Sequence, residues 1–337
     1  MRKKKKKTYI FISRFNKIKR KQIRRAIAKK NWRYHHRIIR NLDNDNNAFS
    51  VKFSGNLYLD DNKEHLFDKL SSAEKAPVVK LSFSNVRQVD IGSMLYIKAF
   101  CDFKRSQNHV VEISCLAKNR KMQQILQHMK LKDYGLGITF DDIKCWTVLE
   151  WHGNTKENYG KVLMQKILPS VLKDKIPSNE FSRIASGLHE LLSNCSEHAY
   201  NDYDDFKGYY LIAGEYNNEN TGRSNEFTFC IIDMGQGFRA SLRQNSLMKK
   251  LLFNFGTNTD KDLLKAAVEG KFNADISKNS GRGTGLPAVR KNVDLINGSL
   301  SIYSDNGTYI LRHGAERLKN RRNAIIGSII TVTLPIN

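Results

Sequence analysis

The chain has 337 residues, of which 40% are hydrophobic, and carries a formal net charge of +24 at pH 7. This length is enough for two domains that each bury a core. No stretch approaches the roughly 20 apolar residues of a membrane-spanning helix, and no apolar segment follows the basic N-terminus as in a secretory signal. Five cysteines without a C-x-x-C pair are typical of reduced thiols, so we expect a cytoplasmic protein.

The positive charge is concentrated in an N-terminal arm, residues 1–45. Between Arg2 and Arg40 there are 18 Lys and Arg residues and no Asp or Glu. Aromatic side chains such as Trp32 and Tyr34 lie between these cations, a composition that can bind phosphate backbones and stack on bases. Three interpretations remain open: a solvated tail, a nucleic-acid contact through residues 2–40, and a contact with an acidic protein or membrane surface.

Beyond a polar turn at residues 41–49, the spacing of apolar residues alternates between strand and helix periods. It predicts strands at 49–59, 78–83, 110–116 and 145–150, and helices at 65–70, 94–104 and 120–130. Such alternation predicts a βαβ domain over residues 46–150.

Part of this domain carries a family resemblance. The run VVKLSFSNVRQVDIGSMLYIKAF (78–100), followed by an apolar strand and a helix that ends near Leu131, resembles the STAS domain, the fold of anti-sigma-factor antagonists. The resemblance implies a phosphoacceptor Ser or Thr two residues after Asp90. That position is Gly92, with Ser93 one place later, which argues against phosphorylation. The alternative interpretation is a domain for packing or dimerisation.

Residues 151–337 are predicted to form a second domain. Helices are predicted at 159–172, 188–200 and 286–296, and strands at 209–216, 226–233, 299–303, 308–312 and 325–335. Residues 316–322 are predicted to be a charged loop. The segment 238–280 is rich in Asn and Lys, with Gly256 and Gly270 as candidate hinges, and is predicted to be a flap over a ligand.

Three short motifs in this second domain carry chemistry. The first is LHELLSNCSEHAY (188–200), in which Glu190 and Asn194 are four residues apart and share one face of a helix. An Asn carbonyl is an oxygen ligand that Mg²⁺ accepts, and a neighbouring Glu can take a proton from an attacking water or hydroxyl. His198 either contacts phosphate or packs at the helix end.

The second motif is CIIDMGQGF (230–238), an apolar strand that ends at Asp233 and is followed by Gly235 and Gly237. A carboxylate at the end of a buried strand can accept a hydrogen bond from the exocyclic amine of adenine. The two glycines allow the backbone to pass close to a planar ring. The alternative is that Asp233 only forms the turn before Gly235.

The third motif is a glycine-rich turn before a helix. Its residues are Gly281, Arg282, Gly283, Thr284, Gly285 and Leu286. Backbone N–H groups at the start of such a helix bind phosphate groups. Arg282 in the turn and Lys278 before it are also within reach of phosphates, although exposed basic side chains are more often solvated.

The order E-x-x-x-N, D-x-G-x-G, G-x-G-x-G-L resembles the GHKL (Bergerat-type) ATPase superfamily, which includes gyrases and histidine kinases. The segment from Glu190 to Tyr200 is most similar to the anti-sigma-factor serine kinases. The resemblance covers residues 155–337 and implies an α/β sandwich in which a mixed sheet carries helices on one face. With the STAS-like domain, the expected fold class is α+β and α/β in two domains.

The resemblance also implies roles for individual residues. Glu190 is the catalytic base, Asn194 the Mg²⁺ ligand and Asp233 the contact to adenine, while the glycines of both loops surround ATP. Thr331, in the last strand GSIITVTLPI, is at the position where family members often place a threonine close to the adenine-binding Asp.

Two functional classes follow from these assignments. The first is an enzyme that hydrolyses ATP or transfers its γ-phosphoryl group to a protein serine, as the anti-sigma-factor resemblance implies. The second is an ATP-gated switch that changes an interface without kinase activity. Both classes imply a regulatory protein partner, and the STAS-like domain leaves a homodimer open.

Overall fold

A computed structural model describes residues 48–59, 65–116, 118–138, 149–151, 169, 178–200, 206–216, 226–244, 259–271 and 285–335. The basic arm, the predicted helix at 159–172 apart from residue 169, and the glycine turn at 281–284 lie outside these residues. Within them the chain combines helices with one parallel and one antiparallel sheet.

The first sheet is parallel and has the strand order β1-β2-β3. Its strands are β1 (Ala48–Leu57), β2 (Val78–Val89) and β3 (Val110–Ser114). Helices α1 (His65–Ala73) and α2 (Ile91–Ser106) connect them, and α3 (Arg120–His128) follows. The alternation of strand and helix predicted for this region is confirmed.

The second sheet contains seven strands in the order β4-β5-β6-β10-β7-β8-β9. These are β4 (Leu149–Trp151), β5 (Tyr209–Tyr216), β6 (Glu226–Asp233), β7 (Ser299–Ser304), β8 (Gly307–Arg312), β9 (Ala315–Asn320) and β10 (Ser328–Pro335). Each described pairing is antiparallel. The expectation of a mixed sheet is therefore wrong.

Two strands differ from the predicted assignment. The strand predicted at 145–150 was placed in the βαβ domain, but Leu149–Trp151 pairs with β5 of the antiparallel sheet. Residues 316–322 were expected to be a charged loop, but Ala315–Asn320 forms β9 at the sheet edge. An edge strand exposed to solvent can carry charged side chains in place of apolar alternation, which removes the sequence signal for a strand.

Four helices follow in the C-terminal half: α4 (Ser178–His198), α5 (Gly237–Gln244), α6 (Asp260–Val268) and α7 (Gly285–Leu295). Apolar side chains of α4, α6 and α7 form a core with one face of the antiparallel sheet. On the strands this face is lined by alternate residues such as Phe229 and Ile231 of β6 and Val332 of β10.

The other face of the antiparallel sheet is covered by the N-terminal unit. A second core joins α1, α2 and the parallel sheet to Ile212, Ile232 and Ile329 of β5, β6 and β10. Helix α2 is buried on nearly all sides, as expected for a helix between two layers. Among the described residues, α4, α6 and α7 of the C-terminal half all pack on one face, as expected, and the helices on the other face, α1 and α2, belong to the N-terminal unit.

Polar contacts reinforce this junction. Lys98 of α2 is 4% exposed and forms an ion pair with Asp102, which also accepts a hydrogen bond from the Tyr210 hydroxyl at 3.2 Å. Gly92, at the position of the implied phosphoacceptor, packs so closely that a Cβ would lie 2.3 Å from Leu59 Cδ1. Ser93 is 0% exposed, so its hydroxyl is not accessible to a kinase in this conformation.

None of the helices among the described residues is both long and apolar enough to cross a membrane. The described cysteines are free thiols: Cys101, Cys115, Cys195 and Cys230.

Candidate functional site

Helix α4 carries the predicted base and metal ligand. Its apolar side chains, including Leu188 and Leu191, are buried in the core beneath the antiparallel sheet, which leaves Glu190 half-buried beside them. Asn194 follows one helical turn later in the same helix, as predicted. The side chains of Asn194 and His198 lie outside the described residues.

Glu190 reaches the start of the helix that follows the glycine turn. Its Oε1 accepts a hydrogen bond from the backbone N–H of Gly285 at 2.7 Å. A Cβ on Gly285 would lie 2.7 Å from Glu190 Cδ, so a larger residue there would displace this carboxylate from its present position. Gly187 has a matching role: a Cβ at this position would lie 2.6 Å from Val289 Cγ2 of α7. Two glycines therefore allow α4 and α7 to pack closely.

Asp233 ends β6 as a buried carboxyl group, 6% exposed. Its Oδ1 accepts from the Gly235 N–H at 2.9 Å, Ser328 also donates to it, and the Cys195 thiol lies 3.9 Å from Oδ2. Burial raises the pKa of Asp233 to about 6, the hydrogen bonds from Gly235 and Ser328 oppose this, and the charge of Asp305 adds to it. The donors named here are neutral, so the carboxylate suits a further donor such as an amine.

The end of α4 is joined to the loop after Asp233. The Gln236 N–H donates to the Ala199 carbonyl at 2.9 Å, and the Met234 N–H donates to the Tyr200 hydroxyl oxygen at 2.9 Å. A Cβ on Gly235 would lie 2.1 Å from the Ala199 carbonyl oxygen. Glycine at 235 is thus required by the approach of α4 itself.

Gly237 begins α5 with a φ of 77°, a conformation that favours glycine. The first N–H groups of α5 are capped by the turn after β7. Phe238 N–H donates to Ser304 Oγ at 2.9 Å and Arg239 N–H donates to Asp305 Oδ2 at 3.1 Å. Burial raises the pKa of Asp305, and the hydrogen bond from Arg239 opposes it. The D-x-G-x-G loop is therefore fixed at both of its ends.

Thr331 does not lie near Asp233, which corrects the prediction. In the antiparallel register Thr331 is opposite Cys230, and their Oγ1 and Sγ atoms are 3.7 Å apart on the face that α2 covers. The residue opposite Asp233 is Ser328. Since successive residues of a strand point to opposite faces, an offset of three residues places Thr331 on the wrong side of the sheet.

Sequence reasoning missed four residues around Asp233: Ser328, Cys195, Tyr200 and Asp305. Cys195 and Tyr200 are inside the first motif, so their closeness to Asp233 follows once α4 is placed against the end of β6. Ser328 and Asp305 depend on strand register, for which the sequence carries no local signal.

The predicted flap is partly a packed element. Helix α6 buries Leu264 and Val268 against the antiparallel sheet. Gly270 has a φ of 72° and donates its N–H to the Ala267 carbonyl at 3.1 Å, so it ends α6 in the manner of a helix cap. Gly270, a candidate hinge, therefore lies at a helix terminus, and Gly256 lies outside the described residues.

The remaining predicted residues divide into two groups. Leu286 is 8% exposed and its side chain packs in the core with α4. The residues that lie outside the described ranges are Lys278, Gly281, Arg282, Gly283 and Thr284. A surface depression lined by Glu226, Asn297 and Arg312 is at the opposite end of β6 from Asp233.

The described parts of the three motifs are brought together around α4. Its middle contacts the start of α7 through Glu190, and its C-terminal end contacts the end of β6 through Cys195 and Ala199. No group of three or more His, Cys, Asp or Glu side chains in the described part of the chain could hold a metal ion. The expected Mg²⁺ would instead have Asn194 as its protein ligand, with phosphate and water oxygens completing the shell.

A scan against models of known protein families gave no match, and a search of curated proteins gave none either.

Proposed function

We propose that this protein binds ATP with Mg²⁺ where α4, the end of β6 and the start of α7 meet, and that it is a GHKL-type ATPase or protein serine kinase acting in regulation. The observation that carries this proposal is the hydrogen bond from Gly285 to Glu190. It places the candidate base at the N-terminus of α7, where backbone N–H groups favour phosphate oxygens.

Asp233 supports the adenine end of the proposal. It is a buried acceptor whose contacts to Gly235 and Ser328 come from neutral donors. An exocyclic amine is a further neutral donor, so it satisfies the carboxylate without bringing a second charge into the core. This chemistry fits adenine, and it disfavours guanine, which presents a carbonyl oxygen at the corresponding ring position.

The phosphate end depends on α4 and the glycine turn. Asn194 would hold Mg²⁺ through its amide oxygen, and the ion would neutralise charge on the phosphate oxygens. Glu190 would accept the proton of the attacking water or serine hydroxyl. Gly281 to Gly285 would cover the phosphates, with Arg282 and Lys278 as additional cations.

A second candidate is the ATP-gated switch without phosphoryl transfer to a partner. The observation that favours it is the core shared by α1, α2 and the antiparallel sheet. Ile232 and Met234, on either side of Asp233, pack in this shared core. A movement at the end of β6 would therefore displace side chains that contact the N-terminal unit. A regulatory partner that binds the N-terminal unit would then have a different affinity for the nucleotide-bound and nucleotide-free protein.

Calorimetry with Mg·ATP and a non-hydrolysable analogue tests the site. Asn194→Ala should abolish Mg-dependent binding. Glu190→Gln keeps an oxygen acceptor for the Gly285 N–H but is not a base, so it should bind ATP as the wild-type chain does and release no phosphate. Binding of Mg·ATP by Asn194→Ala with unchanged affinity would contradict the magnesium assignment. No heat from the wild-type chain would contradict the whole proposal.

The two candidate functions differ in their products. After incubation with Mg·ATP and candidate partner proteins, phosphoserine detected by mass spectrometry supports the kinase. Phosphate release alone, with unmodified partners, supports the ATPase or switch. Glu190→Gln serves as the control in both measurements, because loss of the base should remove either product.

The basic arm remains a separate hypothesis, since residues 1–47 lie outside the described ranges. If residues 2–40 bind nucleic acid, deletion of residues 1–40 should flatten the salt dependence of that affinity. If the deletion variant shifted the mobility of nucleic acid as the full chain does, the arm would not be the nucleic-acid contact. The cytoplasmic location and the homodimer likewise stay predictions.

A further inference from the structure

Arg321, directly after β9, is a buried cation at the junction of the two sheets. It is 5% exposed, and its guanidinium group lies 5.0 Å from the ring centroid of Phe67 in α1 and 5.6 Å from that of Tyr303 in β7. The two rings are themselves in contact, with centroids 5.7 Å apart. A guanidinium group stacked on two aromatic rings is held in orientation by both of them.

The same guanidinium group fixes the turn between β7 and β8. Its Nη2 donates to the Asp305 carbonyl at 2.6 Å and its Nη1 donates to Thr308 Oγ1 at 2.8 Å. The backbone N–H of Arg321 also donates to the Asn306 carbonyl at 2.7 Å. Arg321 therefore holds this turn through three hydrogen bonds while its planar face contacts α1.

The turn between β7 and β8 also positions the loop after Asp233. Asp305 Oδ2 accepts from Arg239 N–H at 3.1 Å, and a Cβ on Gly237 would lie 2.9 Å from Asp305 Oδ1. The Asp260 carboxylate accepts from the Arg239 side chain and from the Asn306 N–H. A displacement of Asp305 would thus move the glycine loop that the proposed function places beside adenine.

We propose that Arg321 is a positioning residue for this loop, and that Phe67 of the N-terminal unit sets nucleotide affinity through it. The inference rests on the proposed function and adds a route of regulation to the same site. A partner or modification that shifts α1 acts on Phe67, then on Arg321 and Asp305, and so on Gly237. By thermodynamic reciprocity, nucleotide binding stabilises the position of α1.

The chain offers a matched control for the two variants that test this route. Arg321→Lys keeps a positive charge but cannot stack on both rings while donating to Asp305 and Thr308. Phe67→Leu keeps an apolar side chain in α1 and removes the ring. Asn323→Ala removes another contact between α1 and the segment after β9, the 2.9 Å hydrogen bond from Asn323 to Asp68, without touching Asp305.

Nucleotide affinity is measured by calorimetry for the full-length wild type, the three single variants and the double variant Arg321→Lys/Phe67→Leu. We expect Arg321→Lys and Phe67→Leu each to weaken Mg·ATP binding roughly tenfold. Because both substitutions act through one contact, the double variant should bind Mg·ATP with about the same affinity as each single variant. Asn323→Ala should bind as the wild type does.

Amide hydrogen exchange of His65–Ala73 provides a readout that a purely structural role would not move. Adding Mg·ATP should slow exchange in this helix in the wild type and in Asn323→Ala but not in Phe67→Leu. If Arg321→Lys does not fold, Phe67→Leu alone tests the inference. Wild-type affinity in Phe67→Leu, or nucleotide-dependent protection that persists in it, would overturn the inference while leaving the ATP site intact. Absence of nucleotide binding by the wild type would end the proposed function, and this inference with it.

Discussion

The carboxylate of Glu190 and the backbone N–H of Gly285 are joined by a 2.7 Å hydrogen bond although the two residues are 95 positions apart in the chain. An acidic side chain at a helix N-terminus satisfies an orphan donor and interacts favourably with the helix dipole. One side chain therefore has two roles: it caps α7, and it is the candidate base. Any anionic ligand at the N-terminus of α7 must therefore compete with Glu190 for the Gly285 N–H or bind the neighbouring N–H groups.

Gly285→Ala should remove the cap that Glu190 provides for α7. The added Cβ would lie 2.7 Å from Glu190 Cδ and 2.8 Å from its Cγ, so the carboxylate must rotate away and the hydrogen bond is lost. We expect the free energy of unfolding to fall by about 1–2 kcal/mol, as for loss of a helix cap. Urea denaturation measures this. Gly137→Ala is the matched control, because nothing lies within 4 Å of a Cβ there. Equal stability of the two variants would show that Gly285 has room for a side chain.

Asp233→Asn should change how stability depends on pH. The pKa of Asp233 is raised by burial from its ordinary value of 3.8 to about 6, so the folded chain holds a proton there that the unfolded chain has released. Its contribution to stability is therefore fully present below pH 4 and is lost as pH rises through 6. At neutral pH the ionised carboxylate costs on the order of 3 kcal/mol relative to acid.

The measurement is the difference in unfolding free energy between Asp233→Asn and wild type, taken at pH values from 4 to 7.5. Asparagine does not titrate, so the variant should gain relative to wild type as pH increases and the difference should level off above pH 7. The altered hydrogen bond to Gly235 contributes a constant to this difference at every pH and does not change its pH dependence. A difference that stays flat over this range would mean that Asp233 titrates at an ordinary pKa.

Ser328→Ala and Thr331→Val form a pair that tests the register of β10. The Ser328 hydroxyl donates to the ionised Asp233 carboxylate, so its removal should move the midpoint of that pH dependence upward. Thr331 Oγ1 is on the opposite face, 3.7 Å from Cys230 Sγ, and its removal should leave the midpoint unchanged. The midpoint is read from the same unfolding series, with Asp233→Asn as the non-titrating reference. A shift in Thr331→Val alone would mean that the register is displaced.

Local signals in the sequence predicted elements well. The strands Tyr209–Tyr216 and Glu226–Asp233 begin and end where their apolar patterns do, and α2 and α7 are within a few residues of their predicted ranges. These patterns depend on which side chains are buried along one element. The contacts of α4 with the end of β6 and with the start of α7 were expected from the family resemblance alone, since no local pattern in the sequence indicates them.

Pairing and layering could not be predicted in the same way. Thr331 and Ser328 are both small hydroxyl residues in one strand, and only the register with β6 decides which lies beside Asp233. Strand β9 has charged, exposed side chains and lacks strand periodicity. The helix at 94–104 was predicted as part of a βαβ domain, but a single sequence does not say that it also packs on the sheet carrying Asp233.

Ile329→Ala tests whether the two sheets unfold as one unit. Ile329 of β10 is 0% exposed and packs in the core that includes α2 and the parallel sheet, so the truncation should cost about 2–5 kcal/mol. Because this core is shared, hydrogen exchange should accelerate in Val78–Val89 of the other sheet as well as in β10, and calorimetry should give a single transition at lower temperature. Leu295→Ala, at a side chain 63% exposed, is the control and should leave both readouts near wild type. Unchanged protection of Val78–Val89 in Ile329→Ala would mean that the N-terminal unit holds its structure independently of the antiparallel sheet.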